Sequence, residues 1–190
     1  MKKTLQSLLA TLAVAASLNA AAAEGDYTIE LVIFDQNAPG AGALPFDRTA
    51  SEDALQIDQG RGLSPYNGQP LTQLEALPAS KLTLGNEAAR LRRQGYQVLW
   101  HGGWFQNVST GSNPSVRLVT ADGRVEGVVR VDRGRFLHLR PDLLLSHQSA
   151  VETAIPQYRF QQSRRMRSEK LHYLDHPHFG ILAIINPVDS

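Results

Sequence analysis

The sequence predicts an α+β fold: a mainly antiparallel β-sheet with one principal helix packed on it and a long irregular loop after the first strand. Three observations carry this. Several segments, among them the start of 27–34, the 116–129 hairpin and 158–168, alternate apolar and polar residues at the period of two expected of strands. A single segment shows helical spacing, with Leu84, Ala88 and Leu91 apolar. The dipeptide Asp122-Gly123 marks a tight hairpin between two such strands.

The chain of 190 residues begins with the parts of a secretory signal in order. Met1-Lys2-Lys3 is basic, residues 5–18 are mostly apolar, and Ala20 to Ala23 provide small residues for cleavage. Residues 1–23 are therefore expected to be removed, leaving 24–190 as a single domain. The apolar stretch is short of the roughly 20 residues that a membrane-spanning helix needs. With Cys 0 there is no cysteine to acylate at the cut, so a free exported product is expected rather than a lipid-anchored one. Of the 19 basic and 18 acidic residues, Lys2 and Lys3 leave with the signal, so the mature balance is close to neutral. Nucleic acid is not an expected partner, because phosphate binding needs a basic surface.

Residues 27–34 read as a strand covered on both faces, since alternation gives way to a fully apolar end. Glycine and proline then interrupt every periodic run through residues 35–79, the long loop. The helix follows, with Arg90, Arg92 and Arg93 in its closing turns and Gly95 as its stop. Tyr96 to His101 forms the next strand, and after Gly102-Gly103 comes Trp104-Phe105. Folding at Asp122-Gly123 pairs Leu118 with Gly127 and Val116 with Val129, which puts Arg117, Arg124 and Glu126 on the opposite face. A second three-residue turn at Asp132-Arg133-Gly134 would set Val129 opposite Leu137 and Gly127 opposite Leu139. In residues 158–168, strand spacing puts Tyr158, Phe160, Arg164 and Met166 on one face and Arg159, Arg165 and Arg167 on the other.

The C-terminal run carries a recognisable pattern. Ser163-Arg164-Arg165-Met166-Arg167-Ser168 is followed by Leu171-His172-Tyr173-Leu174-Asp175-His176-Pro177 and Phe179-Gly180-Ile181-Leu182. With the strand at 27–34, the 95–100 strand and Phe136-Leu137-His138-Leu139, this resembles the CsiV family of periplasmic peptidoglycan-binding proteins. The resemblance implies a non-enzymatic envelope factor that associates with peptidoglycan and supports its assembly. It also implies association with an outer-membrane lipoprotein activator and, through it, a class A penicillin-binding synthase. No binding residues carry over from it.

The residues themselves supply the candidates. Arginine holds carboxylates in a planar fork, so Arg159, Arg164, Arg165 and Arg167 are candidates for gripping stem-peptide carboxylates or an acidic partner. Cross-strand ion pairs are the competing explanation. His172, Tyr173, Asp175 and His176 extend the same candidate surface. Trp100 and Trp104 are candidates for stacking on glycan, with core packing as the plainer role. The alternative class is a periplasmic cell-wall-modifying or metal-dependent enzyme. Three imidazoles, His172, His176 and His178, lie with Asp175 in a composition zinc accepts. Pro177 and the strand-and-turn character of the segment argue against it, and no metal or cofactor is expected. There is no G-x-S-x-G, S-x-x-K or phosphate-binding glycine motif, and no cysteine for thiol chemistry.

Overall fold

A computed structural model describes residues 25–36, 59–111, 113–146 and 157–188. The expected leader, the first half of the glycine- and proline-rich stretch and the 147–156 connection lie outside the described residues. The elements run β1 (Gly25–Asp35), β2 (Gly60–Arg61), α1 (Gly85–Arg93), β3 (Gln97–Val108), β4 (Ser115–Val119), β5 (Val125–Arg133) and β6 (Leu137–Ser146). They continue as β7 (Gln157–Gln161), β8 (Arg164–Met166), β9 (His172–Leu174) and β10 (Phe179–Pro187). Apart from the parallel β2–β4 pair, every strand pairing is antiparallel, and α1 is the only α-helix among the described residues.

Two sheets form rather than one. The first has the order β3-β1-β10-β9; the second has the order β2-β4-β5-β6-β7, with β8 also on β6. Ile29, Leu31 and Ile33 of β1 meet Val129, Val131, Leu139, Leu143 and Phe160 of the other sheet in one buried core. The opposite face of β1 carries Val32, which packs with Leu84, Ala88 and Leu91 of the helical segment. β1 is thus covered on both sides, as its apolar end requires. Each fully buried Leu or Ile here contributes roughly 1.5–3 kcal/mol, so this shared core outweighs the exposed ion pairs described below.

α1 ends as its sequence dictates: Gly95 takes φ 90, and Tyr96 N–H reaches back to Leu91 O at 3.1 Å. β3 does not stop at Gly102-Gly103 but runs on to Val108. The glycines serve close approach, because a Cβ on Gly103 would lie 2.5 Å from Ile29 O and one on Gly102 would meet the Trp100 ring. The 59–79 part of the long loop is irregular yet built into the fold. Leu74 N–H donates to Phe105 O and Leu77 N–H to Gly103 O, closing the outer edge of β3.

The first hairpin has the expected register, Val116 to Val129 and Leu118 to Gly127, with Gly123 at φ 68. The second does not. Its loop is 134–136, so Arg133 pairs with Leu137 and Val129 with Pro141. β5 continues through Asp132 because that residue pairs with His138 and bridges Arg130 and Arg140. The partner of each residue moves by four positions, an even number, so the same side chains still face the core. β6 tolerates Pro141 where its second neighbour changes from β8 to β7, a gap in which a missing N–H costs no ladder bond. β7 and β8 keep one register across Gln162-Ser163, so Tyr158, Phe160, Arg164 and Met166 do share a face.

Candidate functional site

The outer face of the larger sheet gathers charged side chains into rungs. With the odd-numbered residues of β5 and β6 turned to the core, the even ones project outwards. Arg130 lies directly opposite Arg140, and the next rung runs Asp132, His138, Arg165 across three strands. Opposed like charges repel. Asp132 offsets this by accepting from Arg130 Nε at 2.8 Å and Arg140 Nε at 2.6 Å. Beside them an open cleft of about 440 Å³ is lined by Gly111, Arg130, Asp132, Arg133, Gly134, His138 and Arg140. Arg165 extends the face, its guanidinium 3.3 Å above the Phe136 ring centroid.

The sequence-derived candidates divide between this face and the neighbouring sheet edge. Arg159 is buried, its Nε and Nη2 both 2.8 Å from Asp142, so its fork is already committed across the β6–β7 pair. Arg164 is exposed although its register position faces inwards, opposite Leu139. Arg167 is exposed just past β8, and its backbone N–H donates to His172 Nε2 at 2.9 Å. That bond needs an unprotonated nitrogen. Burial, together with the Arg164 and Arg167 charges, pushes His172 below the ordinary histidine value.

Tyr173 sits on the outer face of the smaller sheet, stacked on Phe34 at 6.2 Å. Its hydroxyl donates to Asp175 Oδ1 at 2.6 Å, and Gln36 Nε2 donates to the same carboxylate oxygen at 2.7 Å. Burial, then the Asp175 hydrogen bond, raises the phenol above its usual range; the same bond, with Gln36, lowers Asp175. His176 tilts against Phe160 and Phe179, while His178 is buried and stacked 3.5 Å from Tyr158. His176 and His178 adjoin, their ring centroids 5.8 Å apart and the His178 backbone N–H 3.2 Å from His176 Nδ1, while each ring also packs on an aromatic side chain. Among the described residues no group of three or more His, Cys, Asp or Glu is placed to hold a metal ion.

The two tryptophans differ sharply. Trp104 is fully enclosed in the core with Nε1 donating to Gln106 Oε1 at 2.8 Å, so it offers no face for a glycan. Trp100 is half-buried over Gly102 and keeps some surface. Sequence reasoning missed Arg130, Asp132 and Arg140, because the misplaced second turn set Arg130 opposite Phe136 and hid the rung. Placing that loop at 134–136 would have revealed it.

Fold and face together define a two-sheet, mainly antiparallel β domain with a charged solvent-facing surface. The chain belongs to the CsiV family of peptidoglycan-binding proteins, whose family model matches residues 5–188. No curated protein and no solved structure gives a significant match. No helix among the described residues is long and apolar enough to cross a membrane.

Proposed function

We propose that this protein is exported to the periplasm, where it binds peptidoglycan and supports its assembly without catalysing a reaction. The observation that carries this reading is the family match over nearly the whole chain. The side chains support it: Tyr173, Asp175 and His172 are engaged in hydrogen bonds that hold the sheet edge together, whereas Arg164, Arg165 and Arg167 stand exposed on or beside β8. Exposed guanidiniums suit the free carboxylates of stem peptides. In this reading the protein serves as an adaptor for an outer-membrane lipoprotein activator and, through it, a class A penicillin-binding synthase.

Sedimentation with purified sacculi tests it. The wild-type chain is expected to pellet with sacculi, and Arg165→Glu with Arg167→Glu is expected to reduce the pelleted fraction at an unchanged circular dichroism spectrum. Wild-type protein that stays in the supernatant would remove the reading, and undiminished pelleting of the double variant would remove these two arginines from it. Release of labelled fragments from the sacculi would replace binding by catalysis. Crosslinking in intact cells, followed by identification of what is captured, tests the adaptor role.

A further inference from the structure

The reading above leaves the Arg130–Arg140 rung unused. These two residues are opposite one another in the β5–β6 register, on the same outward face, and line the open cleft. Adjacent positions across the ladder are about 5 Å apart and alternate positions along a strand about 7 Å, so rigid guanidinium forks are held at a fixed spacing. One carboxylate, Asp132, lies between them and takes the Nε of each. The two arginine side chains nevertheless remain 44% and 45% exposed, and Asp132 is 20% exposed. Exposed ion pairs of this kind are weak and easily rearranged. Asp132 is the one carboxylate in the cleft lining, so the two outward guanidiniums paired to it leave a formal excess of one positive charge.

A second carboxylate is the natural complement of this arrangement. We infer that the Arg130–Arg140 rung, with His138 beside it, binds a free carboxylate of the peptidoglycan stem peptide, and that Asp132 is the internal carboxylate that orients both guanidiniums while competing with the ligand. The inference rests on the proposed peptidoglycan binding and assigns it a part of the polymer. The glycan chain presents mainly hydroxyl and N-acetyl groups, which gain little from a cluster of guanidiniums; the stem peptide presents carboxylates, which gain charge-assisted bonds. A cleft lined by arginine therefore selects the peptide over the sugar.

The experiment uses the full mature chain and a soluble probe, the tripeptide L-alanyl-γ-D-glutamyl-meso-diaminopimelate, beside its carboxyl-amidated form. Binding is read by calorimetry and by amide chemical-shift changes. The acid form is expected to bind with shifts at residues 130, 138 and 140, and the amidated form about tenfold more weakly. Arg130→Gln with Arg140→Gln is expected to weaken binding of the acid by about the same factor. Asp132→Asn is expected to tighten it, because the internal competitor is gone while the shape is kept. A role confined to holding the sheet together would instead make Asp132→Asn neutral or weaker. Equal binding of acid and amide, unchanged binding by the double variant, or neutral or weaker binding by Asp132→Asn would each overturn the inference. Sacculus sedimentation run in parallel separates the two claims. Pelleting of wild type and the Arg130/Arg140 variant alike leaves peptidoglycan binding standing and removes this site, whereas failure of the wild type to pellet removes the proposed function itself.

Discussion

Arg124 Nη2 lies 2.7 Å from Asp35 Oδ2, and this ion pair joins the end of β1 in one sheet to the start of the second hairpin strand in the other. Gln97 Oε1 accepts Arg124 Nη1 at 2.7 Å, so three chain segments meet at the pair. Both charged side chains are almost wholly excluded from water, at 9% and 5% exposed. Alternation alone places Arg124 on the outer face of its hairpin. The structure turns it into the seam between the sheets.

Removing one charge from this pair strands the other. Arg124→Met is expected to lower the unfolding free energy by about 3–5 kcal/mol. Adding Asp35→Asn to that variant should recover part of the loss, since the uncompensated carboxylate goes. Urea titration of the two variants checks both statements; additive losses would show that the residues act independently.

Glu30 anchors the helix from the neighbouring sheet. Its carboxylate accepts from Thr83 N–H at 2.7 Å, Leu84 N–H at 2.8 Å and His101 Nε2 at 2.8 Å. Leu84 at the N-cap position has no side-chain oxygen to offer, so Glu30 supplies the hydrogen bonds at the entry to α1. Glu30→Ala should cost about 3 kcal/mol or more, because several donors lose their acceptor together. Hydrogen exchange across residues 85–93 should accelerate more than in the β5–β6 core.

Two glycines are required by close approach. At Gly127, φ is 148 and an added Cβ would run into Asp142 O; at Gly103 it would meet Ile29 O and Leu77. Alanine at either site is expected to destabilise by roughly 3 kcal/mol. Gly62, which has open space around it, serves as the control and should change little. Thermal melts distinguish the three.

Acid should loosen the 67–75 segment before the core. Backbone N–H donation from Thr72 and Asn67, joined by the Thr72 hydroxyl, lowers the Glu75 carboxyl below its ordinary value of 4.5. A carboxylate with a depressed folded value stabilises the fold at neutral pH. That contribution starts to fade as pH falls below 4.5 and is lost once pH passes below the folded value. Glu75→Gln should remove this acid-dependent step from the amide shifts of Asn67 and Thr72.

The tryptophans give a direct optical check. Acrylamide should quench Trp100 and leave Trp104 nearly untouched, and Trp104→Phe should remove the blue-shifted part of the emission. Any emission change on adding muropeptides should survive in Trp104→Phe and vanish in Trp100→Phe.

Much of the local structure is legible in the chain itself. Strand spacing, the Asp122-Gly123 turn, the arginine-rich end of α1 and the Gly95 stop depend on neighbours a few residues apart, and each appears where those neighbours require. Even the misplaced second turn leaves the inward face intact, because side-chain orientation depends only on odd or even position. The candidate site was less legible. Its C-terminal arginines were visible as a cluster, but whether each is free or committed was not: Arg159 found Asp142, a residue 17 positions away.

By itself the sequence determined most of the stretches that become strand or helix and most of the apolar side chains that turn inwards. Only the tertiary structure decided that the strands divide into two sheets, that residues 74–77 close the edge of β3, and that Asp35 meets Arg124. It also decided that Arg130 faces Arg140 across Asp132. The physical reason is range: periodicity and turn geometry act between neighbours in the chain, whereas register, edge closure and ion pairing depend on which distant segments bury their apolar faces against one another.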